Sequence, residues 1–255
     1  MTTTEMIELN HGVRARIVDD AAWARDPRRD QDNLGVMVCW HRRYRLGDVH
    51  DCQSPHDWVM GLLRELDPAK LRPFVVGALR QSRFERDAYR RFMQGLDRRK
   101  RVALWGDYLE RRQVSIDFTL AIDILTHHGW TILPLYLYDH GGITLRTNPS
   151  AFRAQDPGRW DWGLVGWIYA GPAEIERMGT PPERVGAVLR VEVEEYDLYL
   201  RGEVYTAIID TPDRAGVESC GGLAGMDQAR VMAIELARPF EARYGDVQRI
   251  LGEGI

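Results

Sequence analysis

Five short apolar runs constrain this chain more than any other feature: residues 13–18, 34–40, 131–138, 163–169 and 204–210. Each has the length of a strand, and most are rich in Val, Ile, Leu, Tyr and Trp, which suit a pleated, buried surface. Helical patterns fall between them irregularly, which argues against a doubly wound parallel sheet. The expected class is α+β, with one mixed or antiparallel sheet of four to six strands and a helical insertion between the second and third runs. The expected organisation is a single domain over residues 1–255, with the insertion at 72–128.

Helix ends are marked by local chemistry. Ser54-Pro55 reads as an N-cap followed by proline at the first helical position, and Trp58, Leu62, Leu63 and Leu66 form the apolar face behind it. Residues 114–128 form a second helix, ended by Gly129. Two further helices are expected, from Pro181-Pro182 to Leu200 and from Met226 to Arg243, the last with Val231, Ile234 and Leu236 inward. Asp26–Asp30 and residues 146–160 read as turn and loop, and Ser219-Cys220-Gly221-Gly222 as a glycine-rich turn before the last helix. The two glycines at 163 and 166 suggest a bulge or the close approach of another backbone.

Of 255 residues, 44% are hydrophobic, enough for a real core, which excludes wholesale disorder. No apolar stretch reaches the roughly 18–20 residues of a membrane-spanning helix, and the N-terminal residues lack a secretory core. Three cysteines, Cys39, Cys52 and Cys220, read as reduced thiols, and a cytoplasmic location is expected. Only Lys70 and Lys100 are lysines among the 34 basic residues, a skew that reads as GC-rich codon usage, with bidentate phosphate or carboxylate recognition as the functional alternative. Charge is uneven: residues 72–112 hold 12 basic against 5 acidic side chains, and residues 151–255 hold 11 against 18.

Four segments together resemble uncharacterised proteins of bacteriophages and other bacterial mobile elements. They are Asp32-Asn33-Leu34-Gly35-Val36-Met37-Val38-Cys39-Trp40-His41-Arg42-Arg43-Tyr44-Arg45-Leu46-Gly47-Asp48, Leu133–Ile143 (LPLYLYDHGGI), Trp160–Tyr169 (WDWGLVGWIY) and Glu192–Tyr205 (EVEEYDLYLRGEVY). The resemblance covers about half the chain and implies a phage or mobile-element setting. It assigns no chemistry and no cofactor. Residues 74–112 depart from the shorter spacer of that family, which marks the basic stretch as an addition.

Three sets of residues could carry function. Cys39-x-His41 and His50-x-Cys52 could each present two ligands on one strand face, although their spacing fits no usual zinc pattern. Asp48, His50, Asp139 and His140, two Asp/His pairs after apolar strands, would suit a hydrolytic metal centre; the competing reading is that both aspartates cap turns. Arg83, Arg86, Arg90, Arg91, Arg98, Arg99 and Arg101, interleaved with Phe84, Tyr89 and Phe92, could form a stripe that tracks phosphates. Cys220 beside its glycines is a weaker candidate nucleophile, and Glu192, Glu194, Glu195 and Asp197 could imitate a phosphate backbone or form a solvated face. Trp160 and Trp162 flank a loop and read either as core or as interaction anchors.

No nucleotide-binding or protease motif is present. The expected function is therefore that of a phage or mobile-element accessory protein that binds a macromolecule, either nucleic acid or a host protein, with a metal-dependent hydrolase or nuclease as the alternative.

Overall fold

The computed structural model describes residues 3–67, 70, 71, 74 and 118–252. The fold is α+β with two antiparallel four-stranded sheets, so the strands do not join into the single sheet expected from the sequence. The first sheet has the order β1-β2-β7-β8, from Thr3–Glu8, Arg14–Asp19, Val204–Thr211 and Arg214–Ala224. The second has the order β3-β6-β4-β5, from Val36–Cys39, Trp162–Ala170, Thr131–Asp139 and Ile143–Arg146. The chain divides into two compact units: residues 1–33, 134–165 and 187–255, and residues 34–133 and 166–186.

In the first unit the long helix Met226–Gly252 packs on the sheet β1-β2-β7-β8. Val13, Ala15, Ile17, Ala207 and Ile209 line the sheet face by strict alternation, and Ala229, Ala233 and Ala237 meet them from the helix. This corrects the face expected for that helix, because Val231 and Ile234 are exposed and only Leu236 packs against the core. The physical reason is steric. Alanines at every fourth position let the helix axis approach the sheet closely, so the larger β-branched residues are left outside. Arg16 braces β2 to β7 through two bonds to Asp210, at 2.6 and 3.0 Å.

The acidic stretch 192–197 lies in the helix Pro182–Leu200, and two of its four acids are inside the protein. Glu192 pairs with the buried Arg28 at 2.9 Å, and Asp197 is buried against Arg146 and Arg201. It is therefore not a continuous solvated or phosphate-like face. Arg28 belongs to a short helix, Pro27–Asp30, capped by Asp26, where the sequence reads as a turn. The expected loop after residue 146 likewise holds a helix, Ser150–Gln155, and a further short helix covers Pro172–Arg177.

In the second unit β3 pairs with β6, Val36 opposite Tyr169 and Cys39 opposite Gly166. Helix Pro55–Glu65 starts as the sequence indicates, with the Ser54 hydroxyl accepting from the Asp57 N–H. It packs against helix Phe118–His127, and Trp58, Leu62, Leu63, Ile124 and Leu125 are buried between them and the strands. Trp58 stacks on Trp167 with ring centres 5.4 Å apart. Within the expected insertion only residues 74 and 118–128 among those after 71 are described, and they include the helix just named. No helix among the described residues is long and apolar enough to cross a membrane.

Candidate functional site

The second unit presents a basic, aromatic turn at the end of β3. The turn is held by a loop that folds back on its own strand. Asp48 donates its N–H to Met37 O at 2.8 Å and accepts the Met37 N–H on its carboxylate at 2.7 Å. Gly47 makes this return possible with φ +73°, because a Cβ there would lie 2.6 Å from Met37 O. His50 donates from Nε2 to Cys39 O at 3.0 Å, and its ring lies 4.9 Å from that of Trp40. The Trp40 indole in turn donates to Cys52 O at 2.9 Å. Asp48 and His50 thus serve the loop's closure.

At the loop tip, His41 and Tyr44 stack with ring centres 5.0 Å apart and planes only 7° from parallel. The guanidinium of Arg43 lies over the Tyr44 ring at 5.3 Å. Arg42, Arg43 and Arg45 are exposed, and neither Arg42 nor Arg45 has an ion-pair partner among the described residues. Partial burial, then Arg43 and Arg42, hold the His41 imidazole below its usual pKa. The neutral ring accepts the Arg43 and Tyr44 N–H groups on Nδ1 at 3.4 and 3.3 Å, long bonds that set the turn. Two parallel rings bordered by three exposed guanidinium groups can take a flat π-system and a phosphate together.

The first unit carries a second aromatic feature at residues 156–161. Trp162 is buried and donates its indole N–H to Asp156 O at 2.8 Å, while the Arg159 guanidinium covers its ring at 4.6 Å. Asp156 also accepts the Asp161 N–H at 2.9 Å, and Asp161 O accepts the Asp139 N–H at 2.8 Å. On this braced loop Trp160 is 89% exposed. Its indole lies so near Gly158 that a Cβ there would collide with it. Of the two tryptophans, one is therefore core and the other is displayed.

The expected metal sets fall as follows. His140 pairs through Nδ1 with Asp161 at 2.9 Å, and Asp139 sits beside them in the first unit; Asp48 and His50 occupy the loop of the second. In the Cys39/His41/His50/Cys52 set, both imidazoles bond backbone groups, and burial with nearby Asp51 and Asp57 pushes the Cys52 thiol up, against ionisation. Among the described residues no group of three or more His, Cys, Asp or Glu side chains is placed to hold a metal ion.

Cys220 lies within strand β8, half-buried against the sheet core, rather than in a turn before the helix. Register shifts on either side of Ala207–Ile209 let this Gly- and Glu-rich sequence stay in the ladder. The arginines at 83, 86, 90, 91, 98, 99 and 101 lie outside the described residues. Sequence reasoning read His41 to Cys52 as a polar, turn-rich stretch and weighed His41 only as a metal ligand, so it missed the stacked, arginine-flanked rings. Their signal was three arginines and two ring residues within five positions, His41–Arg45, immediately after a buried strand. No family model matches this sequence, and neither a curated protein nor a solved structure matches it.

Proposed function

We propose that this protein is an accessory factor of a bacteriophage or other mobile element, that it acts by binding a macromolecule, and that the macromolecule is single-stranded nucleic acid. The observation that carries this reading is the parallel His41–Tyr44 stack flanked by exposed Arg42, Arg43 and Arg45. Stacking is tolerant of sequence because every base has a π-face, and guanidinium groups alongside supply phosphate contacts. A duplex keeps its bases stacked on one another and offers such a platform only phosphates. The sequence-level stripe at Arg83, Arg86 and Arg90 is the other basic element and belongs to the same proposal.

The test is fluorescence anisotropy with a labelled oligonucleotide of about 12 nucleotides, single-stranded and then duplexed. The reading requires tighter binding of the single strand, weakened by Tyr44→Ala and by the double change Arg42→Gln, Arg45→Gln. A separate variant with Arg83, Arg86 and Arg90 changed to Gln measures the share of the second stripe. Absence of binding at low salt, or binding indifferent to the changes at 42, 44 and 45, would refute it.

A further inference from the structure

The first unit contains a cleft of about 420 Å³ between residues 20–31, the helix Pro182–Leu200 and the end of β8. That size lies within the usual range for small-molecule sites. On its lining, the Asp20 side chain spends one carboxylate oxygen on the Thr206 hydroxyl, at 2.8 Å. The residue is 9% exposed, and its other carboxylate oxygen has no partner among the described residues. Gly221 is what lets β8 pass this pair, since a Cβ there would lie 2.9 Å from the Thr206 hydroxyl and 3.2 Å from Asp20. The second Asp20 oxygen is not sealed in the core, so its donor has to come from solvent or from whatever occupies the cleft.

A second carboxylate faces the same need. Glu195 is half-buried and lines the cleft, and it has no hydrogen-bond or ion-pair partner among the described residues. Its neighbour Glu192 is already committed to Arg28. Trp23, 77% exposed, and Tyr199 add aromatic surface. Asp30 and Arg25, both exposed, also line the cleft, so the lining holds three carboxyl groups against one guanidinium.

We infer that this cleft is a binding site for a small organic cation, an alkylammonium compound whose N–H groups satisfy Asp20 and Glu195 while its carbon chain lies against Trp23 and Tyr199. An ammonium group supplies three donors, enough to serve two carboxylates, and an aromatic face favours a cation over a neutral group. An anion would meet unpaired carboxylates and is disfavoured. The site is separate from the nucleic-acid reading, and neither depends on the other.

The experiment is isothermal titration calorimetry of the full chain with spermidine, and in parallel with maltotriose as a neutral, hydroxyl-rich probe. Spermidine should bind saturably at one site, and Asp20→Asn and Glu195→Gln should each weaken it by about tenfold or more, the usual effect of losing a charged hydrogen bond. Trp23→Ala, on a side chain too exposed to matter for folding, should weaken it and abolish the fluorescence change on binding. Glu218→Gln, an exposed carboxylate away from the cleft, should leave binding unchanged. Failure of spermidine to bind, preference for maltotriose, or equal loss in the Glu218 variant would overturn the inference, and none of these outcomes bears on oligonucleotide binding.

Discussion

Asp197 accepts the backbone N–H of Leu145 at 2.7 Å, which ties the helix Pro182–Leu200 to strand β5 through a carboxylate with no exposure to solvent. Arg146 and Arg201 complete the arrangement from either side. The Leu145 N–H sits on the buried side of its strand and would otherwise lack a partner. One side chain therefore satisfies a strand amide and two cations. Changing Asp197→Ala removes all of these at once and leaves the Leu145 amide orphaned. The expected cost is about 3 kcal/mol, read as a lower urea midpoint with an unchanged slope. Asp197→Asn, which keeps an acceptor for Leu145 but loses the charge, should fall between the two.

Glu195 behaves oppositely. Burial, then the nearby Glu192, raise its pKa above the ordinary carboxylate range. The folded state thus holds the proton more tightly than the unfolded chain, and this group favours folding more as pH falls towards the ordinary glutamate range. Above its raised pKa the ionised side chain opposes folding. Glu195→Gln should accordingly raise the melting temperature at neutral pH, and the difference should shrink to nothing below the normal glutamate pKa. A variant less stable than wild type at neutral pH would contradict this. The same substitution is expected to weaken cation binding, so stability and ligand affinity should move in opposite directions.

The two glycines of β6 should differ sharply. A Cβ on Gly166 would run into the Val38 carbonyl oxygen and lie 2.8 Å from the Cys39 Cα, both backbone atoms of the paired strand. A Cβ on Gly163 would meet nothing within 4 Å. Gly166→Ala is expected to destabilise by about 3 kcal/mol or to prevent folding, because neither strand can move without breaking the β3–β6 ladder. Gly163→Ala should change stability by less than about 1 kcal/mol in either direction. Thermal melts of the two single variants decide the matter.

What could be read from the sequence follows from how local each signal is. The runs at 34–40, 131–138 and 204–210 became strands because apolar, β-branched and aromatic residues fill both faces of a buried ladder. Ser54-Pro55 opened its helix because capping is settled within four residues. By contrast, β8 contains Gly216, Gly221 and Gly222 and depends on pairing with β7 rather than on its own propensity, so it was missed. The inward face of the last helix was misread because hydrophobicity ranks Val231 and Ile234 above Ala233, whereas close packing on a sheet selects the smaller residue. Asp48 and His50 were weighed as metal ligands, and nothing local to the sequence shows that a loop folds back so that they meet Met37 and Cys39.

At the basic turn the electrostatic and stacking contributions can be measured separately. Each phosphate that an arginine neutralises on a single strand releases counterions worth a slope of about −0.7 in log affinity against log salt. Removing Arg42 and Arg45, which have no ion-pair partners among the described residues, should make that slope shallower by about 1.4. Tyr44→Ala removes a ring without changing charge, so it should lower affinity by about 1–3 kcal/mol, or roughly fivefold to 150-fold, at every salt concentration while the slope stays the same. Affinity measured from low to moderate salt for the two variants then assigns each residue its role. If Tyr44→Ala flattened the slope as the arginine changes do, the ring would be acting only to position Arg43, whose guanidinium lies over it, and base stacking would have no part in the site.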